Sequence, residues 1–176
     1  MTEEVWELYK KYELAVHGKE RERPQMNRFL CNSPLYDPAK EPHKANHAMF
    51  YKSKYVDREL HEWKDEGVYP EALGTYHMYH RIDGKLVAFT VIDICTRFMN
   101  SAYCVYDPDY KFLSLGVVSA IREIEFMRLI KRKFNPDLTF YQLGDMVVTC
   151  PKVNYKMNYS PGIVICPRTK KDMYWD

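Results

Sequence analysis

Three aspartates, one histidine and two lysines hold most of the chemistry available in these 176 residues. In "VYDPDYKFLSLGVV", Asp107 and Asp109 flank Pro108. Proline fixes its own backbone and pushes the residue before it to extended geometry. An Asp-Pro-Asp run commonly spends its carboxylates on turn hydrogen bonds. Alternatively, two carboxylates so close receive a cation or handle the proton of an attacking amine. Asp93 sits inside the apolar run "VAFTVIDIC", where a carboxylate must be paired or face a cleft. His77, in "TYHMYH", reads first as a structural histidine with a satisfied ring, and it stands beside the aspartates as a catalytic candidate.

"FLSLGVV" places Ser114 and Gly116 where an amphipathic run begins. A helix start gathers free N–H groups and the positive end of the dipole, which suits phosphate or carboxylate. On spacing alone, a capped start with a glycine for close packing is favoured, because no glycine-rich phosphate loop is present. "CPKVNYKMNYSP" sets Lys152, Tyr155, Lys156 and Tyr159 close together. Cations interleaved with aromatics suit stacking on bases and pairing with phosphate or a carboxylate. The sequence has no Gly-x-Ser-x-Gly, His-Glu-x-x-His or P-loop, so covalent Ser or Cys catalysis has no support.

The elements that must position these residues follow from periodicity. "EEVWELYKKYELAVHG" spaces Val5, Leu8, Tyr9, Tyr12 and Val16 for a helix that stops at Gly18. The following segment holds four prolines from Pro24 to Pro42 and reads as largely irregular, with a short helix around Gln25–Leu30. "GTYHMYHRI" and "KLVAFTVIDIC" meet across Asp83-Gly84, a type I′ hairpin pair. "NSAYCVYD" adds a third antiparallel strand. A long helix then follows, capped by Ser114 and ending near Phe134, because Pro136 disfavours helical geometry at Asn135. Leu113, Val117, Ala120, Ile121, Ile124, Met127 and Ile130 mark its buried stripe, with Arg122, Glu123, Glu125 and Arg128 opposite. "DLTFYQLGDMVVT" is a further strand, interrupted at Gly144, before a Tyr/Pro/Lys-rich tail. This order predicts an α+β fold, a mixed and mostly antiparallel sheet covered by helices.

Composition bounds the rest. Hydrophobic residues at 46% and charged residues at 28% describe one globular domain, residues 1–176. Net charge is only +2, and the excess lies in residues 120–176, with 10 Lys/Arg against 6 Asp/Glu. That surface is compatible with phosphate contacts without demanding them. No apolar run reaches membrane-spanning length, and the N-terminus "MTEEVWELYKK" lacks a signal-peptide core. Cys31, Cys95, Cys104, Cys150 and Cys166 are irregularly spaced and odd in number, which predicts reduced thiols in a cytoplasmic or nuclear setting and no metal site of their own.

Several stretches together resemble the C-terminal domain of the arginyl-tRNA–protein transferases. They are "YKKYELAVHG", "NRFLCNSPL", "LGTYHMYHRIDGKLVAFTVIDI", "YDPDYKFLSLGVVSAIREIEF", "CPKVNYKMNYSP" and "CPRT", in the family's order from about Tyr9 to Arg168. The resemblance implies a GNAT-like acyltransferase fold. It also implies transfer of arginine from arginyl-tRNA to the amino terminus of proteins beginning with Asp, Glu or oxidised Cys, in the N-degron pathway. No cofactor is implied here, arginyl-tRNA being the co-substrate. The family's iron–sulfur-binding cysteine pairs belong to an N-terminal domain absent from these 176 residues, which implies a domain or subunit supplied in trans as a partner.

Under that resemblance Asp93, Asp107, Asp109 and His77 are the catalytic candidates, the aspartates for the guanidinium and the amine. Lys152 and Lys156 would meet the acceptor carboxylate or tRNA phosphates. Ser114 and Gly116 occupy the helix start that cradles pyrophosphate in acetyl-CoA-using relatives. Tyr110, Tyr141 and Tyr155 would clamp the terminal adenosine, with Gln142 also on the substrate side. "GDMVVTC" and "SPGIVICP" depart from the family's pattern, which runs aromatic after the first glycine and has a more polar Pro-Ser-Asp in the second. A non-catalytic GNAT-like module that holds tRNA or a partner protein is the second reading. An acetyl-CoA acetyltransferase is disfavoured by the missing glycine-rich loop.

Overall fold

The computed structural model describes residues 2–31, 74–151 and 153–175. They form two units, residues 1–142 and 143–176. In the first, α1 (Glu3–Tyr12) starts at Thr2, whose hydroxyl accepts from the Val5 amide at 3.4 Å, and widens into a π-helical turn over Glu13–His17. Gly18 ends it in the left-handed conformation (φ 63°), a position glycine tolerates at little cost. A second helix, α2 (Arg23–Cys31), follows within a few residues. The stretch 32–50 of the expected irregular segment lies outside the described residues.

Strands β1 (Gly74–Ile82), β2 (Lys85–Ile94) and β3 (Phe98–Tyr106) form the expected antiparallel meander. Asp83 (φ 49°) and Gly84 (φ 81°) make its first turn, both with the positive φ that a type I′ turn requires. The long helix α3 (Leu115–Lys133) then crosses the sheet to β4 (Phe140–Gln142), which pairs parallel to β3. The order is β1-β2-β3-β4, an α+β arrangement with a mixed, mostly antiparallel sheet. The last strand is shorter than expected, because pairing ends at Gln142 and the chain passes into the second unit.

β2 is buried along nearly its whole length because helices cover both its faces. Phe89 and Val91 pack with Val5, Leu8, Tyr9, Tyr12, Met26 and Leu30 of α1 and α2. Ile92 and Ile94 pack with Phe126, Met127 and Ile130 of α3. A doubly covered strand reads as a continuous apolar run rather than an alternating one.

The buried stripe of α3 is a correction. It runs Leu115, Ser119, Ala120, Glu123, Phe126, Met127 and Ile130, keeping Ala120, Met127 and Ile130 of the expected stripe but not Leu113, Val117, Ile121 and Ile124. Val117 and Ile121 are exposed, Ile121 at 50%, and Glu123, expected on the solvent face, is 0% exposed. The helix is apolar around more than half its circumference, so several stripes with 3–4 spacing compete and the packing decides.

The second unit contains a short 3-10 turn (Asn154–Asn158) and the hairpin β5 (Gly162–Ile165) and β6 (Asp172–Trp175). Gly162 lies against the Trp175 ring so closely that a Cβ there would stand 2.0 Å from Cζ2. The indole Nε1–H donates to the Met157 carbonyl at 3.1 Å.

Candidate functional site

The parallel pairing of β3 with β4 lasts only three residues, from Phe98↔Phe140 to Asn100↔Gln142. β3 continues to Tyr106 with no strand on that edge among the described residues. A bulge at Ala102 marks where it turns away, since Val91 pairs with Tyr103 and Ile92 with Ser101. Pairing therefore stops at Gln142, and the edge of β3 from Ser101 to Tyr106 is left open among the described residues, with α3 packed on the same strand.

The interface between α3 and the sheet is polar in part. Tyr141 donates its hydroxyl to Glu123 Oε2 at 2.8 Å. Burial pushes the Glu123 carboxyl above its usual range, against the opposing pull of the Thr90, Tyr141 and Ser101 hydroxyls. Ser119 faces Cys104 at 3.9 Å, and burial raises that thiol to about 12. His80 is driven down to about 4 by burial, with Arg122 adding to it. Its Nε2 has no partner among the described residues.

At the far end of β3 stands the Asp107–Asp109 junction. The Asp107 amide donates to the Val87 carbonyl at 2.7 Å, and its Oδ1 accepts from the Asp109 amide at 3.1 Å. The turn reading of Asp-Pro-Asp thus holds. Both carboxylates are also engaged by cations. Lys11 Nζ lies 2.5 Å from Asp107 Oδ1 and 2.6 Å from Asp109 Oδ2, and Lys85 Nζ lies 3.2 Å from Asp107 Oδ2. Asp107 is 3% exposed. Burial alone would raise its carboxyl, but Lys11, the Asp109 amide and Lys85 together hold it below its ordinary value. Two carboxylates and two ammoniums balance, so the junction is a neutral clamp rather than an open acidic pocket. Lys85 also lies 4.8 Å over the Tyr110 ring, which stacks on Phe112 at 6.3 Å.

Ser114 corrects the capping expectation. It closes a 3-10 turn (Pro108–Leu113) through its amide and opens α3 in the left-handed conformation (φ 52°), with no side-chain cap bond. A residue that ends one helix and begins the next must reverse the chain, and its hydroxyl then cannot fold back onto the first turn. Gly116 is not needed for close packing either, since a Cβ there would meet nothing within 4 Å. It leaves open space at the start of a 19-residue helix.

Asp93 and His77 lie elsewhere. Asp93 occupies a cross-strand row with Thr75, Asn100 and Gln142. It accepts from Thr75 Oγ1 at 2.6 Å and Asn100 Nδ2 at 3.3 Å. The paired alternative therefore applies. His77 Nε2 lies 2.8 Å from the Leu30 carbonyl, which makes that nitrogen the donor and ties β1 to the end of α2. From Asp93 to Val87, where Asp107 is anchored, β2 runs six residues, about 20 Å. Asp93 and Asp107 cannot serve one reacting centre.

In the second unit Lys156 Nζ donates to the Asp145 carbonyl at 2.6 Å, and burial lowers its pKa. Tyr155 packs edge-on against Tyr159 at 6.4 Å. Lys152 lies outside the described residues. Glu123, Lys11 and Lys85 escaped the sequence reading. For Glu123 the available signal was its 3–4 spacing with Ser119, Phe126 and Met127. The lysines meet Asp107 only through tertiary contact. Among the described residues no three His, Cys, Asp or Glu side chains gather as a metal site, so none is assigned to an iron–sulfur group. No described helix is long and apolar enough to cross a membrane.

These features define an α+β domain whose mixed sheet leaves an edge open beside a covering helix, an architecture compatible with the GNAT-like acyltransferases. The chain belongs to the family described as "Arginine-tRNA-protein transferase, C terminus", which it matches over residues 4–166. It is 36% identical over 170 residues to Arginyl-tRNA--protein transferase 1 of Arabidopsis thaliana, covering 93% of this chain and 23% of that one. Arginyl-tRNA--protein transferase 1 of Drosophila melanogaster is 33% identical over 162 residues, 92% of this chain and 28% of that one. An Aspartate/glutamate leucyltransferase of Campylobacter jejuni (strain RM1221) is 37% identical over 90 residues, 51% of this chain and 35% of that one. The chain thus spans about a quarter of the length of the arginyl relatives it matches.

Proposed function

We propose that this chain transfers the arginyl group of arginyl-tRNA to the amino terminus of an acceptor protein beginning with Asp, Glu or oxidised Cys. The observation that carries the reading is the family match across residues 4–166. The open edge of β3 beyond Asn100, beside α3, supports it as a place for an acyl group. In the reaction the acceptor nitrogen attacks the ester carbonyl, the bond to the terminal ribose oxygen breaks and an amide forms. One proton leaves the amine and one reaches the ribose oxygen. The ester is already activated, so positioning and charge stabilisation supply most of the acceleration.

The junction residues Tyr110, Ser114 and Gly116 take the aminoacyl end of the tRNA, with the first-turn amides of α3 as donors. Asp107 and Asp109 shape that end through Lys11 and Lys85. Tyr141 and Gln142 border that edge from β4. His77 and Asp93 hold the sheet to which the edge belongs. Lys152, Tyr155 and Lys156 serve the acceptor or the tRNA backbone. The setting is cytoplasmic or nuclear, and a further domain or subunit in trans is a partner in this reading.

Incubation of the chain with arginyl-tRNA and a peptide beginning with Asp is expected to yield the arginylated peptide. A leucyl-tRNA arm tests donor choice. No arginine incorporated, with charged tRNA intact, would sink the reading.

A further inference from the structure

The face of the sheet opposite α3 carries a second polar site, to which the reading above assigns no residue. Where α1 widens into its π-helical turn, Glu13 points inward and is 2% exposed. Tyr103 donates its hydroxyl to Oε1 at 2.9 Å, and Arg21 donates Nε–H to Oε2 at 2.8 Å. Burial opposes the charge on Glu13, but Arg21, Tyr103 and His17 outweigh it and keep the carboxyl below its ordinary value. A solvent-open pocket of about 230 Å³ lies against this pair, lined by Tyr9, Glu13, Arg21, Gln25, Phe29 and Tyr103. At its rim Phe29, 59% exposed, meets the Tyr103 ring edge-on at 5.1 Å.

A buried, ionised carboxylate beside aromatic walls is the chemistry that receives a guanidinium. The carboxylate supplies charge-assisted hydrogen bonds, and the rings supply flat faces for a planar, weakly hydrated cation. The carboxylate already holds one. Arg21 comes from the short connection between α1 and α2, and its side chain is 35% exposed. The other carboxylates hold partners of a different kind: Asp107 and Asp109 hold the ammoniums of Lys11 and Lys85, and Asp93 holds Thr75 and Asn100, so Glu13 differs in already holding a guanidinium.

We propose that the Glu13 pocket is a guanidinium receptor, and that Arg21 is a resident occupant displaced by the arginyl side chain of the donor. The identity of that ligand rests on the arginyl-transfer reading. Exchange replaces one guanidinium with another, so Glu13 is never left buried and uncompensated, a state that is strongly destabilising. The cavity beside the pair gives the incoming chain its path. Arg21 then sets the threshold for donor binding, and a donor lacking the cation cannot displace it.

The test is a titration of L-arginine amide, which has the guanidinium and no free carboxylate, followed by NMR on the full chain. Norleucine amide serves as the arm without the cation. Arg21→Gln is expected to bind arginine amide at least about tenfold tighter than the wild type. Adding Glu13→Gln is expected to weaken that binding by at least about tenfold, the loss of one charge-assisted pair. Norleucine amide is expected not to bind. Equal binding across the three proteins, or norleucine amide binding as well as arginine amide, overturns the proposal. If Arg21→Gln does not fold, the wild type decides. Shifts of the Tyr103 and Phe29 ring signals with arginine amide support the receptor, and unmoved signals overturn it. Arginyl transfer that survives Glu13→Gln with unchanged KM for arginyl-tRNA removes the receptor and leaves the proposed function standing. Absent transfer with Glu13-dependent arginine amide binding does the reverse.

Discussion

Lys11, on the first helix, places its Nζ 2.5 Å from Asp107 Oδ1, 96 positions further along the chain, and 2.6 Å from Asp109. One ammonium therefore closes the turn that joins β3 to the long helix. Asp107→Asn keeps the shape and the amide-accepting oxygen but removes the charge. The expected cost is about 1–3 kcal/mol, since a nearly buried partner of charged hydrogen bonds is lost. Denaturant unfolding of both proteins measures it. The pH dependence has a definite sign. A depressed carboxyl gives stability that is present above about pH 4, its unfolded pKa, and lost as pH falls through the folded value. The gap between wild type and variant should close in acid. A gap unchanged down to pH 2 would show that the lysines do not hold Asp107 ionised.

Glu123 should behave in the opposite sense. Its carboxyl is raised in the fold, so the folded state binds more protons and the wild type loses stability as pH rises above about 4. Glu123→Gln removes that loss. Its stability relative to the wild type should grow with pH, whereas Glu123→Ala should be less stable throughout because it opens a cavity. A Gln variant whose advantage is flat across pH 4–8 would contradict the raised carboxyl.

His80 supplies an acid limit. With the folded pKa near 4 and an unfolded value of about 6.5, the unfolded chain binds the proton first. Stability therefore falls as pH drops from the upper value to the lower, by about 3.4 kcal/mol in all at about 1.36 kcal/mol per unit. The ring signals of His80 should titrate near pH 4 by NMR, and His80→Gln should flatten the stability profile over that window. Titration near 6.5 would place the ring in water.

Gly116→Ala separates structure from function. Space is open at this position, and its φ lies outside the positive range. Alanine should therefore stabilise α3 by about 0.5–1 kcal/mol. If the aminoacyl end docks there, arginyl transfer should fall about tenfold or more even as the melting temperature rises. Transfer at the wild-type rate would move the docking site off the helix start.

Gly162→Ala tests the second unit. A Cβ at 2.0 Å from the Trp175 ring cannot be accommodated without displacing a bulky side chain, and overpacking of this kind costs about 1–3 kcal/mol. The Trp175 indole N–H resonance should shift, and the tail should be cut sooner by protease. An unshifted indole signal would mean that the ring keeps its place and that the clash at Gly162 is relieved elsewhere.

The meander, its Asp83-Gly84 turn and the limits of the long helix were legible because each depends on local chemistry: positive φ at a turn, alternation in a strand, a proline beyond a helix end. The buried stripe of α3 was not. Val117, Val118 and Ile121 are as apolar as the residues that face the sheet, and only the shape of the sheet chooses Ser119 and Glu123. The candidate site divided the same way. Asp107 and Asp109 were readable as a turn, but their cations come from Lys11 and Lys85, which no spacing rule connects to them. Asp93 was read as paired or facing a cleft, and its pairing in a row with Thr75 and Asn100 emerges only from register.

The long reach from Lys11 to Asp107 also fixes an order of events during synthesis. α1 precedes β2 and β3, and its apolar stripe, covered first by Met26 and Leu30 of α2, gains the sheet surface only roughly 90 residues later. The clamp that shapes the start of α3 therefore closes only once the first helix has returned to the sheet. A nascent chain carries Lys11 well before it carries the carboxylates that Lys11 holds. Any chaperone that holds the first helix would delay the site while leaving the meander free to fold.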